Sequence, residues 1–110
     1  SESQAEKNRD DSRRIKGEDR KMIKVEFEIK NRLGLHARPA ATFVQACNKY
    51  RSEINLIFNS RAVNAKSIIG VLALGVAYGD RIEVEADGED EEAAIEEIKD
   101  LLETKLVEMS

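Results

Sequence analysis

The sequence predicts an α+β fold. One four-stranded antiparallel sheet is wet on one face and carries three helices on the other, in the order βαββαβα. Two observations lead there. Each strand-like run alternates apolar with polar residues, so each strand buries a single face. The runs between and after them either repeat apolar residues at three- and four-residue spacing or form a short aliphatic stretch closed by glycine, as helices packed on a sheet do.

In the first strand Ile23, Val25, Phe27 and Ile29 alternate with Lys24, Glu26, Glu28 and Lys30. Asn31 to Leu35 reads as a loop. From Ala37 to about Tyr50 a helix follows, with Ala40, Phe43, Val44 and Cys47 at i, i+3, i+4 and i+7. Ile54, Leu56 and Phe58 alternate as a second strand, and Asn59-Ser60-Arg61 turns the chain into a short third strand, Ala62 to Asn64. Ser67 to Leu74 is a short helix ending near Gly75, after which Gly79-Asp80 turns again. Ile82, Val84 and Ala86 alternate with Arg81, Glu83 and Glu85 as the fourth strand. Gly88-Glu89-Asp90 opens one long helix with an apolar stripe of Ala94, Ile98, Leu101, Leu102 and Leu106. Acids from Glu89 to Glu92 at its start and Lys105 near its end suit the helix dipole.

The 110 residues suffice for one domain. Residues 1–21 stand apart, with seven basic and six acidic residues and only Ala5 and Ile15 clearly apolar. So little apolar surface cannot offset ordering entropy, so 1–21 reads as a disordered or weakly helical extension and 22–110 as the domain. Met22 fits the start of the domain proper, and the extension reads as native, as a mis-called start or as a cloning scar. Its basic pairs, Arg13-Arg14 and Arg20-Lys21, suit an acidic partner. No run of about 18 apolar residues is present, and no apolar signal core, so a cytoplasmic protein without membrane insertion is expected. The single cysteine, Cys47, cannot form an internal disulfide, which fits a reducing compartment. One histidine and one cysteine are too few for structural zinc, and neither a metal nor a cofactor is expected. The net charge of -4 argues against binding duplex nucleic acid through a basic surface.

Gly34-Leu35-His36-Ala37-Arg38-Pro39-Ala40 holds the only histidine and the only proline, where the strand pattern gives way to helix. A helix N-terminus leaves backbone N–H groups unpaired and carries the positive end of the dipole, so it favours phosphate. Pro39 suits the first helical turn and Gly34 the sharp turn before it. A lone loop histidine has, by default, no chemical role. Three features single out His36: its place at a helix start, the planar fork of donors that Arg38 offers to phosphate oxygens, and the nucleophilic nitrogen of a neutral imidazole. A phosphohistidine P–N bond also passes its phosphoryl group on readily. No Walker loop, metal cluster or acidic pair is visible to activate ATP, so the chain reads as one that receives phosphate from a partner.

This motif, with Asn64-Ala65-Lys66-Ser67-Ile68-Ile69-Gly70, the Leu74-Gly75 ending and Gly79 before the last strand, resembles the HPr family, the histidine-containing phosphocarriers of the bacterial phosphotransferase system. The resemblance covers residues 22–110 and not the extension. It implies an open-faced β-sandwich and a monomeric carrier that is a protein substrate and not an enzyme. It implies that enzyme I, charged from phosphoenolpyruvate, phosphorylates His36 on Nδ1, and that His36 hands the group to a sugar-specific enzyme IIA. Arg38 would then stabilise the phosphoryl oxygens.

Ser67 taken alone suits a helix N-cap worth about 1 kcal/mol. At the matching position of Gram-positive-type members, the serine is phosphorylated by HPr kinase/phosphorylase, and Lys66 to Val71 looks more like that form than the enteric one. The resemblance thus implies regulatory phosphorylation of Ser67 in carbon catabolite control, with a catabolite-control repressor docking on the same surface. A phosphate at a helix N-terminus adds charge without melting the helix. Ile68, Ile69, Val71, Leu72 and Leu74 are too many aliphatics for one stripe, so some face solvent, either as ordinary exposed residues or as a docking patch beside His36. By resemblance Ile69 and Leu72 are partner-facing, with Ile68 and Val71 left open. Cys47 reads as a core filler.

Other readings are a regulatory paralogue acting through protein–protein binding, either a nitrogen-branch carrier or a serine-only catabolite-repression homologue. His36 counts against the serine-only form, whereas a nitrogen-branch carrier keeps both regions. A plain βα scaffold with the motif by accident is disfavoured by two blocks in register.

Overall fold

The computed structural model describes residues 22–109, so the reading of 1–21 as an extension lies outside the described residues. The elements are β1 (Ile23–Glu28), α1 (Ala37–Cys47), β2 (Glu53–Phe58), β3 (Arg61–Asn64), α2 (Ile68–Leu74), β4 (Arg81–Asp87) and α3 (Glu91–Asp100). The last helix continues through a π-helical turn, Leu101–Lys105, into a short terminal stretch, α4 (Leu106–Met109). The four strands form one antiparallel sheet in the order β1-β4-β2-β3. Helices cover one face of it, the α+β open-faced arrangement that the alternation requires.

Alternation becomes burial directly. Val25 lies opposite Val84, and Val84 opposite Leu56, while Phe27 lies opposite Ile82. These side chains point to the helical layer, where they meet Phe43 and Val44 of α1, Val71 and Leu74 of α2, and Ala94, Ile95 and Ile98 of α3. Burying one such side chain is worth about 1.5–3 kcal/mol, so this layer dominates stability. Cys47 is among them, and burial pushes its thiol up to about 12, which makes it an inert core filler.

Three details differ from the sequence expectation, and one that it left open is decided. Arg61 is the first residue of β3, paired with Phe58, and not part of the turn. Asn59 and Ser60 both take positive φ, 51° and 64°, and two left-handed residues complete a type I′ hairpin without a third. Helix α1 stops at Cys47, three residues early, because the Asn48 side chain donates to the carbonyls of Val44 and Lys66 at 2.9 and 3.1 Å. Val71, left open by the sequence, is fully buried and therefore belongs to the core. The final helix is not regular, because the Leu106 N–H donates five residues back to Leu101. That wider turn returns Leu106, fully buried, to the stripe of Leu101 and Leu102.

Two carboxylates pin the segment between α1 and β2 to α3. The Asp90 side chain does not cap its own helix. It accepts instead from the N–H groups of Arg51 and Ser52, both at 2.9 Å, and from the Ser52 hydroxyl. The Ser52 hydroxyl, foremost, and the Arg51 N–H hold the Asp90 carboxyl down at about 2. Further along α3, Glu97 accepts from Lys49 and from the Tyr50 hydroxyl. The Lys49 bond, then the Tyr50 bond, lowers the pKa of Glu97, and the bond to Glu97 raises that of Tyr50 to about 12. These ties fix the C-terminal end of α1, and so the line along which its N-terminus points.

Candidate functional site

The loop from Ile29 to His36 is sewn onto the chain that follows α2. Ile29 N–H donates to the Asp80 carbonyl at 2.8 Å, Gly79 N–H to the Ile29 carbonyl at 2.8 Å, and Leu35 N–H to the Val76 carbonyl at 3.0 Å. Gly34 makes the close approach possible. A Cβ there would lie 2.5 Å from the Val76 oxygen, and its φ of +66° is one that L side chains rarely adopt. Asn31 braces the turn from inside. Its side chain donates to the Gly34 carbonyl at 2.8 Å, and Gly34 N–H returns to the Asn31 carbonyl at 3.1 Å. Leu35 is fully buried and anchors the residue before His36.

His36 is then released to the surface. It is exposed and extended, with φ -131° and ψ 159°, and occupies the N-cap position of α1 without a side-chain capping bond. Ala37 follows at φ 53°, a left-handed conformation that costs a non-glycine residue roughly 1–3 kcal/mol. The chain thereby swings from the loop into the helix within one residue. Arg38 is exposed on the first turn, whereas Pro39 is buried beneath it. The first N–H groups of α1 have no carbonyl four residues behind them, and no side chain caps them. An exposed imidazole, a guanidinium and open backbone donors therefore share one helix start, where a phosphoryl group would meet donors and a favourable dipole. This is an open surface. A hollow of about 350 Å³ lined by Glu53, Ile54, Asn55, Asn64 and Lys66 lies elsewhere.

The second predicted block forms the neighbouring helix. Ser67 is the N-cap of α2, and its Oγ accepts from Gly70 N–H at 3.2 Å. Lys66 N–H is held by the Asn64 side chain at 2.8 Å, and the Lys66 ammonium donates to the Tyr50 carbonyl at 2.6 Å. Gly75 closes α2 at φ 68°. The start of α1 meets the chain leaving α2 through Leu35 and Val76, and the end of α1 meets the chain entering α2 through Asn48 and Lys66. The two helices are thus antiparallel neighbours, and the structure does not bring His36 and Ser67 together. Between them α2 exposes Ile69 (78%), Leu72 (41%) and Ile68 (38%).

The model for the PTS HPr component phosphorylation site matches residues 23–104. The chain belongs to the HPr phosphocarrier family. The phosphocarrier protein HPr of Xylella fastidiosa is 42% identical over 87 residues, which are 79% of this chain and 98% of the relative. The crystal structure of HPr-C-His from Thermoanaerobacter tengcongensis is 49% identical, with a TM-score of 0.75, covering 76% of this chain and 94% of that one. The Bacillus subtilis catabolite-repression protein Crh, a domain-swapped dimer in its crystal, is 40% identical with a TM-score of 0.61, covering 74% and 92%. Family membership makes the chain a phosphocarrier of the phosphotransferase system, a carrier and not a catalyst.

Sequence reasoning missed Asn31 and Ala37. Asn31 stood three residues before a glycine, a turn signal that was visible. No sequence signal marks an alanine for the left-handed region.

Proposed function

We propose that this chain is a cytoplasmic, monomeric phosphoryl carrier of the phosphoenolpyruvate-dependent sugar phosphotransferase system, with His36 as the phosphoryl acceptor. The single supporting observation is the exposed His36 imidazole at an uncapped helix start beside Arg38. Enzyme I donates. The unprotonated Nδ1 attacks phosphorus, the donor's P–N bond breaks, and the P–N bond to His36 forms. Arg38 and the first N–H groups of α1 receive the phosphoryl oxygens, and enzyme IIA then takes the group by the reverse exchange. Ile69 and Leu72 on α2 offer the apolar surface on which both partners dock in turn. Ser67 is the site of regulatory phosphorylation by HPr kinase/phosphorylase, and the phosphorylated face serves a catabolite-control repressor.

A second reading, a nitrogen-branch carrier, retains the same histidine and serine regions. Passing the group from phosphorylated chain to purified enzyme IIA proteins decides between them. Rapid transfer to a sugar-specific enzyme IIA supports the sugar branch, and transfer only to a nitrogen-branch acceptor overturns it.

A further inference from the structure

Among the described residues two polar side chains are buried in full, Ser52 and Asn31. Ser52 is satisfied by Asp90. Asn31 is satisfied only in part. Its Nδ2 donates to the Gly34 carbonyl at 2.8 Å, whereas its Oδ1 is buried without a partner among the described residues. Turning the amide round would not mend this, because the Gly34 carbonyl needs a donor. A buried acceptor left unpaired costs stability. Nor does the turn need this side chain to close, since Gly34 N–H already donates to the Asn31 carbonyl at 3.1 Å. What the amide adds is a hold on the peptide that follows.

That peptide joins Gly34 to Leu35. Its carbonyl is held by the Asn31 side chain and its N–H by the Val76 carbonyl at 3.0 Å. With both ends bonded, its plane is fixed. His36 is the next residue but one. Among the described residues nothing bonds to the His36 imidazole, and its side chain makes no capping bond. The ring is therefore placed by the main chain alone, between buried Leu35 on one side and Ala37 at φ 53° on the other. We propose that Asn31 is a positioning residue for phosphoryl transfer: its amide locks the Gly34–Leu35 peptide and so holds the His36 ring on the line of attack. A ring held in this way needs no partner of its own, so the incoming phosphoryl group has no hydrogen bond to displace. Asn31 itself takes no part in making or breaking the P–N bonds. The inference rests on His36 being the phosphoryl acceptor and adds a residue that acts through it.

The test measures single-turnover phosphoryl uptake by the full chain from phosphorylated enzyme I, per folded chain as read from the amide signals of the sheet. Asn31→Ala removes the donor. It should slow the transfer step about tenfold or more and change the half-saturating enzyme I concentration less than about twofold. Asn31→Asp keeps the shape and makes the donor conditional, because a protonated carboxyl can donate to Gly34 and an ionised one cannot. Burial favours the protonated form. The rate of Asn31→Asp relative to the native chain at each pH should fall as the new carboxyl ionises, which its own carbon signal reports. Lys30, Arg32 and Asp80 around the turn are common to both chains, so the ratio cancels their titration. The Leu35 and His36 amide signals of Asn31→Asp should move along the same curve with no enzyme present. A native transfer rate in folded Asn31→Ala, a ratio indifferent to the new carboxyl, or a loss confined to half-saturation overturns the proposal alone. A native chain that takes up no phosphoryl group overturns the acceptor reading and the proposal with it.

Discussion

His36 and Ser67 are the N-cap residues of two antiparallel helices and stand at opposite ends of one shared surface. Seven residues of α2, about 10 Å of helix, separate the serine end from the histidine end. A charge placed at Ser67 is therefore out of contact with a phosphoryl group on His36 but lies on the docking surface proposed for α2. The regulation proposed at Ser67 would therefore act on partner binding and not on the chemistry at His36.

That division has a kinetic signature. Ser67→Ala should lose the cap to Gly70 N–H and about 1 kcal/mol of stability, read as a lower urea midpoint, with phosphoryl uptake from enzyme I unchanged. Ser67→Asp should keep the fold and raise the apparent KM for uptake with little change in kcat. A fall in kcat alone would place Ser67 in the chemistry.

Adjacent positions on α2 should behave oppositely. Ile69 is 78% exposed, so Ile69→Ala should leave the urea midpoint within about 0.5 kcal/mol while weakening partner docking. Val71 is fully buried, so Val71→Ala should cost roughly 2 kcal/mol and leave docking intact in the folded fraction. Titration calorimetry against enzyme I and urea unfolding together separate the two.

Gly34→Ala tests the stitch beneath the histidine. The new Cβ would meet the Val76 carbonyl at 2.5 Å in a backbone conformation unfavourable to alanine, and the expected loss is roughly 2–3 kcal/mol. Uptake should fall as well, because the Leu35–Val76 bond that sets His36 must lengthen. Thermal unfolding and enzyme I kinetics on the same sample check both parts.

Asp90 predicts a pH dependence. Its folded carboxyl is lowered from 3.8 to about 2 by the Ser52 hydroxyl and the Arg51 and Ser52 N–H groups. The unfolded chain therefore binds this proton first. The contribution is complete above the unfolded value and is lost as pH falls through about 4 towards 2. Asp90→Asn should flatten the urea midpoint over that window. An unchanged slope would show that the clamp does not carry it.

Strand alternation and the histidine motif were legible because each depends on near neighbours: period-two burial, a helix start and a proline in its first turn. What the sequence hid depends on contacts across the fold. Asn48 ends α1 by bonding to Lys66, eighteen residues away in sequence. Asp90, expected to serve its own helix dipole, serves the Arg51–Ser52 loop instead. Val71 and Ile69 are both aliphatic, and only packing of α2 against α1 and β3 assigns one to the core and the other to solvent.

The central claim is that His36 is the phosphoryl acceptor. Incubation with enzyme I and labelled phosphoenolpyruvate should place one acid-labile phosphoryl group on His36. His36→Ala, exposed and without a capping bond to lose, should take up none while unfolding at the same urea concentration. Label on the His36→Ala chain, or none on the folded native chain, would contradict the account.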